Sequence, residues 1–101
     1  MDPFQLTEDA ILDINAIWLY LLEKEGLVTA DRIAGELFKG FYKLADTPNS
    51  GHRRGDLTNR NILFYRIFSY LVIYQPGSSP LQILGVLHGK RNVWRILRER
   101  L

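Results

Sequence analysis

The stretch from Ile62 to Arg91 constrains the fold most, because it reads as three β-strands separated by two short reversals. Ile62–Ile67 and Tyr70–Gln75 are dense in β-branched and aromatic residues, which suit a pleated, half-buried surface. Only Phe68 and Ser69 lie between them, a link short enough to require an antiparallel hairpin. Pro76-Gly77-Ser78-Ser79-Pro80 makes a second turn, since proline fixes φ and glycine tolerates a tight reversal. Leu81–Leu87 returns as the third strand and ends in the basic group His88-Gly89-Lys90-Arg91. Large groups fall on both strand faces, with Phe64, Arg66, Tyr70, Val72 and Tyr74 at some positions and Leu63, Tyr65, Leu71 and Ile73 at others. Each face therefore needs cover from the rest of the chain or from a partner.

The preceding residues supply helices. Phe4-Gln5-Leu6 alternates like a very short strand. Thr7 is placed to cap a helix over Thr7–Glu25, with Glu8 and Asp9 suiting its positive end and Leu6 and Ile11 at staple positions. Ile11, Ile14, Ile17, Trp18, Leu21 and Leu22 recur at three- and four-residue spacing, and Asp9, Asp13, Glu23 and Lys24 fall largely off that stripe. Gly26 marks the helix end. A second helix is expected behind a Thr29 cap, with Val28 and Ile33 as its staple, and it ends at Thr47-Pro48. A link of a few residues folds the pair into an antiparallel hairpin. Asn49–Asn61 is a long, polar, basic loop, a length that is commonly functional. Asn92 can cap a last helix, Val93–Leu101, with Val93, Trp94, Leu97 and Leu101 on one stripe and Arg95, Arg98 and Arg100 around it.

Composition fits one domain over residues 1–101, with 47% hydrophobic residues excluding a disordered class. The absence of cysteine excludes disulfides and thiolate metal sites, and suits a reducing compartment. The two histidines, His52 and His88, have no metal-ligand spacing, and no phosphate-cradling glycine loop follows a strand. No cofactor is expected. Without a long apolar run or a signal-peptide pattern at Met1–Leu6, a cytoplasmic domain with no membrane association is expected. The net charge of +2 conceals a split: residues 1–51 carry four bases against nine acids, and residues 52–101 carry nine bases against two acids. A basic half of this kind suits a polyanion or an acidic protein segment.

The ordered set Leu6-Thr7-Glu8-Asp9-Ala10, Leu12-Asp13-Ile14, Trp18-Leu19-Tyr20, Phe41-Tyr42-Lys43-Leu44-Ala45, Pro48-Asn49-Ser50-Gly51, Arg53-Arg54-Gly55-Asp56-Leu57 and Tyr70–Tyr74, closing with Ile83–Asn92, resembles the ParE/RelE superfamily of bacterial toxins. Within it, the details resemble the ParE family of plasmid stabilisation proteins. Asn92 stands where an Asp is usual, and the strand containing Leu63 lacks a frequent arginine. The resemblance implies an α+β fold of order β-α-α-β-β-β, with an N-terminal helical hairpin packed on a small antiparallel sheet and a short C-terminal helix. It also implies a toxin neutralised by a ParD-like or related antitoxin in a hetero-oligomer, touching operator DNA only through that antitoxin. Its action would be to bind and poison DNA gyrase.

Under that resemblance, Arg91, Trp94, Arg95, Arg98 and Arg100 are the expected target-binding residues, since Arg and Trp dominate many interfaces. Trp94 has a second reading as a fastener of the last helix. Arg53, Arg54, Arg66, Tyr70 and Tyr74 are the expected antitoxin contacts. No catalytic residue is expected under this reading. The alternative is ribosome-dependent mRNA cleavage of the RelE type, which needs a base for the ribose hydroxyl, a donor for the leaving oxygen and cations for the phosphorane. His88, Lys90, Arg91, Arg53 and Arg54 would be its candidates, with His52 nearby in sequence. Trp94, standing in the late region where that chemistry has a tyrosine, cannot transfer a proton.

Overall fold

The computed structural model describes residues 2–101. Along the chain run β1 (Phe4–Leu6), α1 (Glu8–Glu25), α2 (Leu27–Asp46), a 3-10 turn at Pro48–Ser50, β2 (Leu63–Ile67), β3 (Tyr70–Gln75), β4 (Leu81–His88) and α3 (Val93–Arg100). This is the α+β order expected from the sequence. β2, β3 and β4 form the antiparallel meander, and β1 adds to β4 in parallel, giving a mixed sheet in the order β1-β4-β3-β2. The expected all-antiparallel sheet is thus corrected at one strand. A parallel neighbour needs a crossover connection, and the long path through α1 and α2 provides it.

Local chemistry explains the helix ends. The Thr7 hydroxyl accepts the Ala10 N–H at 3.2 Å and donates to the Leu84 carbonyl at 3.2 Å, so one side chain caps α1 and ties it to β4. Gly26 has a φ of 94°, a conformation that glycine adopts without penalty. Its N–H bonds back to Leu21 and Leu22, and its carbonyl accepts the Ala30 N–H. One residue therefore ends α1 and starts α2. This corrects the expected Thr29 cap, which lies inside the first turn of α2, and the expected Val28 staple, since Val28 is 83% exposed.

The hairpin register decides which side chains share a face. Leu63 pairs with Tyr74 and Phe64 with Ile73, because a two-residue loop sets odd-numbered residues opposite even-numbered ones. Leu63, Tyr70, Val72, Tyr74, Leu81, Ile83 and Val86 accordingly pack with Ile14, Leu37, Phe41 and Leu44 of the helical hairpin. On the other face, Phe64, Ile73 and Leu87 pack with Val93 and Leu97 of α3. This regroups the faces read from the sequence. Both are covered, the second by the chain's own last helix.

Tyr74 joins the sheet to the long loop. It is fully buried, donating to the Pro48 carbonyl at 2.6 Å and accepting the Gly51 N–H at 2.9 Å. A Cβ at Gly51 would lie 2.5 Å from that hydroxyl, so only glycine fits there. Beyond it, His52 and Phe64 exchange both backbone hydrogen bonds at 2.9 Å, covering part of the β2 edge. The loop continues as a turn in which the Arg54 carbonyl accepts the Leu57 and Thr58 N–H groups, and Leu57 packs on the second core.

Tyr74→Phe leaves the Gly51 donor and the Pro48 acceptor without their partner, so urea denaturation should show a loss of about 1–3 kcal/mol. Burial raises the phenol pKa of Tyr74 and of Tyr70 above the ordinary value, and in Tyr74 the Gly51 hydrogen bond opposes that rise. The unfolded phenols then ionise first as pH rises past about 10, so stability should fall from there upward. Tyr74→Phe should flatten part of that fall in urea midpoints measured across alkaline pH.

Candidate functional site

The last helix is held by three inward groups. Asn92 caps it by accepting the Arg95 N–H at 3.2 Å, and Val93 and Leu97 are buried against the sheet. The third is Arg100, whose guanidinium donates to Asp13 Oδ2 and Oδ1, each at 2.7 Å. Asp13 Oδ2 also accepts the Val86 N–H at 3.0 Å. That N–H lies on the β4 edge past the end of β1, where no strand remains to pair with it. The hydrogen bonds it donates to Asp13 hold the Arg100 pKa above its ordinary value, against the opposing effect of burial. Arg100 was expected at the target surface, but it is committed to α1 and β4. Asp13 was read as lying off the apolar stripe, yet its side chain is only 7% exposed.

Gly85 makes this contact possible. A Cβ there would lie 2.7 Å from Arg100 Nη1 and 3.1 Å from Asp13 Oδ2. A glycine inside a strand is the sequence signal for such a close approach, and an aspartate in the apolar run Ile11-Leu12-Asp13-Ile14 is the signal for its partner.

The outward side of α3 carries the remaining expected target residues. Trp94 is 46% exposed, and the Arg98 guanidinium lies over its ring at 5.1 Å from the centroid. Such an exposed cation–π pair contributes about 0.5–1 kcal/mol and keeps both groups oriented. Arg95 forms only a loose exposed pair with Glu99 at 3.8 Å. Trp94, Arg98, Leu97 and Leu101 face the loop Gly55–Arg60 across a shallow cavity of about 400 Å³. Arg60 closes one side by donating to the Leu101 carbonyl at 3.0 Å. Trp94 thus lines an open surface, and Val93 and Leu97 do the fastening.

The other expected residues are dispersed. Arg53 donates to Asn61 at 2.7 Å, and Arg54 pairs with Asp56 through two bonds of 2.9 and 2.8 Å. That pairing raises the Arg54 pKa and lowers that of Asp56. Arg66, on the edge strand, donates to the Phe68 carbonyl at 2.9 Å. Tyr74, expected as an antitoxin contact, is corrected outright by its burial beneath α2, and Tyr70 is 8% exposed on the same helix-facing side. His88 stacks edge-on against Tyr70 at 5.5 Å, and its Nδ1 accepts the Lys90 N–H at 3.1 Å. His88 and Arg91 line a cleft beside α1 whose wall includes neither Arg53 nor Arg54. Of the five residues named for RNA cleavage, only His88 and Arg91 line that cleft.

Residues 4–93 match the family model described as the ParE toxin of the type II toxin–antitoxin system parDE. The chain belongs to the ParE toxin family. A solved structure of the chromosomal ParDE TA system from P. aeruginosa has a similar fold, with a TM-score of 0.70 at 16% identity over 82% of this chain and 90% of that one. No curated protein sequence matches. The ParE match ends at Val93, so Trp94, Arg95, Arg98 and Arg100 lie beyond it. In this ParE toxin, no helix among the described residues is long and apolar enough to cross a membrane.

Asp13→Ala strands the Arg100 guanidinium and the Val86 N–H together. Because Arg100 keeps some access to water, the expected loss is about 3 kcal/mol, the low end for breaking a buried pair. Gly85→Ala should reproduce part of it, about 1–3 kcal/mol, by overpacking the same contact. Denaturant midpoints of both variants and of Asp13→Ala/Gly85→Ala check this, and the double variant should lose less than the sum of the singles.

Proposed function

We propose that this ParE toxin acts in the cytoplasm by binding and poisoning DNA gyrase, and that a cognate ParD-like or related antitoxin neutralises it in a hetero-oligomer. Operator DNA is reached only through that antitoxin. Family membership supports the toxin role, and the observation that carries the mode of action is the exposed Trp94–Arg98 pair beside Arg95 on a firmly anchored helix. Aromatic and arginine side chains held in place lose little freedom on docking, which favours a binding surface. Arg91, just before α3, adds an exposed cation at the start of that helix, on the side of the cleft beside α1. Nuclease chemistry needs a base, an acid and phosphate-binding cations within reach of one phosphodiester. His88 and Arg91 beside α1, with Arg54 tied to Asp56 on the loop, give no such grouping.

The test adds purified toxin to gyrase with supercoiled plasmid, and separately to translating ribosomes. Cleaved gyrase–DNA complexes should accumulate in the first assay, with messages intact in the second. Trp94→Ala and Arg98→Glu should each weaken the gyrase effect at least about tenfold, as interface anchors do, with melting lowered by no more than the roughly 4–8 °C that loss of their cation–π pair accounts for. Truncated messages with no gyrase effect would replace the proposal with RelE-type cleavage.

A further inference from the structure

We infer that the cleft between α1 and the ends of β3 and β4 seats a helical segment of the antitoxin, which inserts an apolar side chain and sets a carboxylate beside it on Arg91. The inference rests on the antitoxin reading above and adds to it a place and a chemistry. The cleft holds about 460 Å³ and is lined by Ala16, Ile17 and Tyr20 of α1, with Tyr70, Val86, His88, Arg91 and Asp13. That volume is large enough for a leucine or an aromatic side chain, and the walls are mostly apolar or aromatic.

Three observations select the occupant. First, α1 offers more than a pocket. Leu12, Leu19 and Tyr20 are 61%, 58% and 59% exposed, and Ala16 lies among them on the helix surface. This apolar strip runs about 12 Å along α1 at 1.5 Å per residue, a length that suits a second helix laid alongside. Second, the polar end of the cleft is cationic. Arg91 is exposed and has no carboxylate within ion-pair distance among the described residues. The one acid in the wall, Asp13, already receives two bonds from Arg100. Third, His88 accepts the Lys90 N–H on Nδ1, which leaves its proton on Nε2 as a further donor for an anion. A carboxylate next to an apolar anchor meets these groups, whereas a basic or wholly apolar segment does not.

The cleft also gives the otherwise buried Tyr70 its accessible side, whereas Tyr74 has none. Arg91 lies between this cleft and α3, so an antitoxin seated here would occupy one of the cations proposed for the target.

The experiment titrates purified toxin with the purified antitoxin encoded in the adjoining reading frame, by calorimetry at two salt concentrations. Ala16→Trp fills the cleft from an exposed helix position, so its melting temperature should match that of the unmodified chain. Its affinity should fall by about thirtyfold or more, the scale of a lost interface anchor. Arg91→Glu should cost at least about tenfold, more at low salt than at high salt, and Arg91→Lys should recover part of it. Lys39→Glu, on the outer side of α2, should bind as the unmodified toxin does, and Arg66→Glu tests the far edge strand as the rival seat. If Ala16→Trp and Arg91→Glu both bind normally, or if Arg66→Glu alone abolishes binding, the cleft is not the seat although the antitoxin reading stands. If the unmodified toxin does not bind, both readings fall.

Discussion

The Asp13 carboxylate is the point on which the arrangement of this molecule depends. A strand edge that is neither paired nor solvated leaves backbone donors and acceptors unsatisfied. β1 is only three residues long, so the β4 edge runs on past it with the Leu84 carbonyl and the Val86 N–H facing α1. Thr7 satisfies the first and Asp13 the second, which makes α1 the continuation of the sheet at that edge. Asp13 would then be a buried anion, and Arg100 neutralises it from the far end of the chain. Ion pairs of this kind are poor sources of net stability, because removing two charges from water costs nearly what their attraction returns. Their effect is geometric: two bonds of fixed direction set where the last turn of α3 must lie.

That constraint sorts the helix into two sets. Val93, Leu97 and Arg100 recur at four- and three-residue spacing and face the fold, while Trp94, Arg95 and Arg98 face away from it. A short helix on its own would fray in water. Anchored at its cap, its middle and its end, it can present an indole and a guanidinium in fixed relation.

Much of this architecture was legible because the signals were local. The two-residue link Phe68-Ser69, the Thr7 cap and the Gly26 stop each act within a few residues and lie where the sequence placed them, whereas the α1 stripe is shifted, with Ile11 46% exposed and Asp13 buried. The pairing of β1 with β4 was not legible, since nothing in Phe4-Gln5-Leu6 identifies a partner more than seventy residues away. Arg100 illustrates the same limit within the candidate site. Its composition and neighbours are those of the solvated arginines beside it, and only the contact with Asp13 distinguishes it. Tyr74 failed for a different reason: strand periodicity assigns residues to alternate faces but cannot say which face the helices cover until the register is fixed.

The covering of both faces bears on how a partner can engage. A three-stranded meander backed by one helical hairpin would offer an open apolar face, but α3 occupies that face with Val93 and Leu97. The surfaces left to a partner include the seams: the exposed side of α1 with the cleft beside it, the loop Gly55–Arg60 with the outer side of α3, and the β2 edge beyond the His52 bridge. The first two are separated by the helix that Asp13 and Arg100 hold, and Arg91 lies on the link that joins them. Under the function proposed above, an antitoxin and a target competing for this toxin therefore need not share a whole footprint. It is enough that each requires Arg91, on the short link between the end of β4 at His88 and the Asn92 cap of α3.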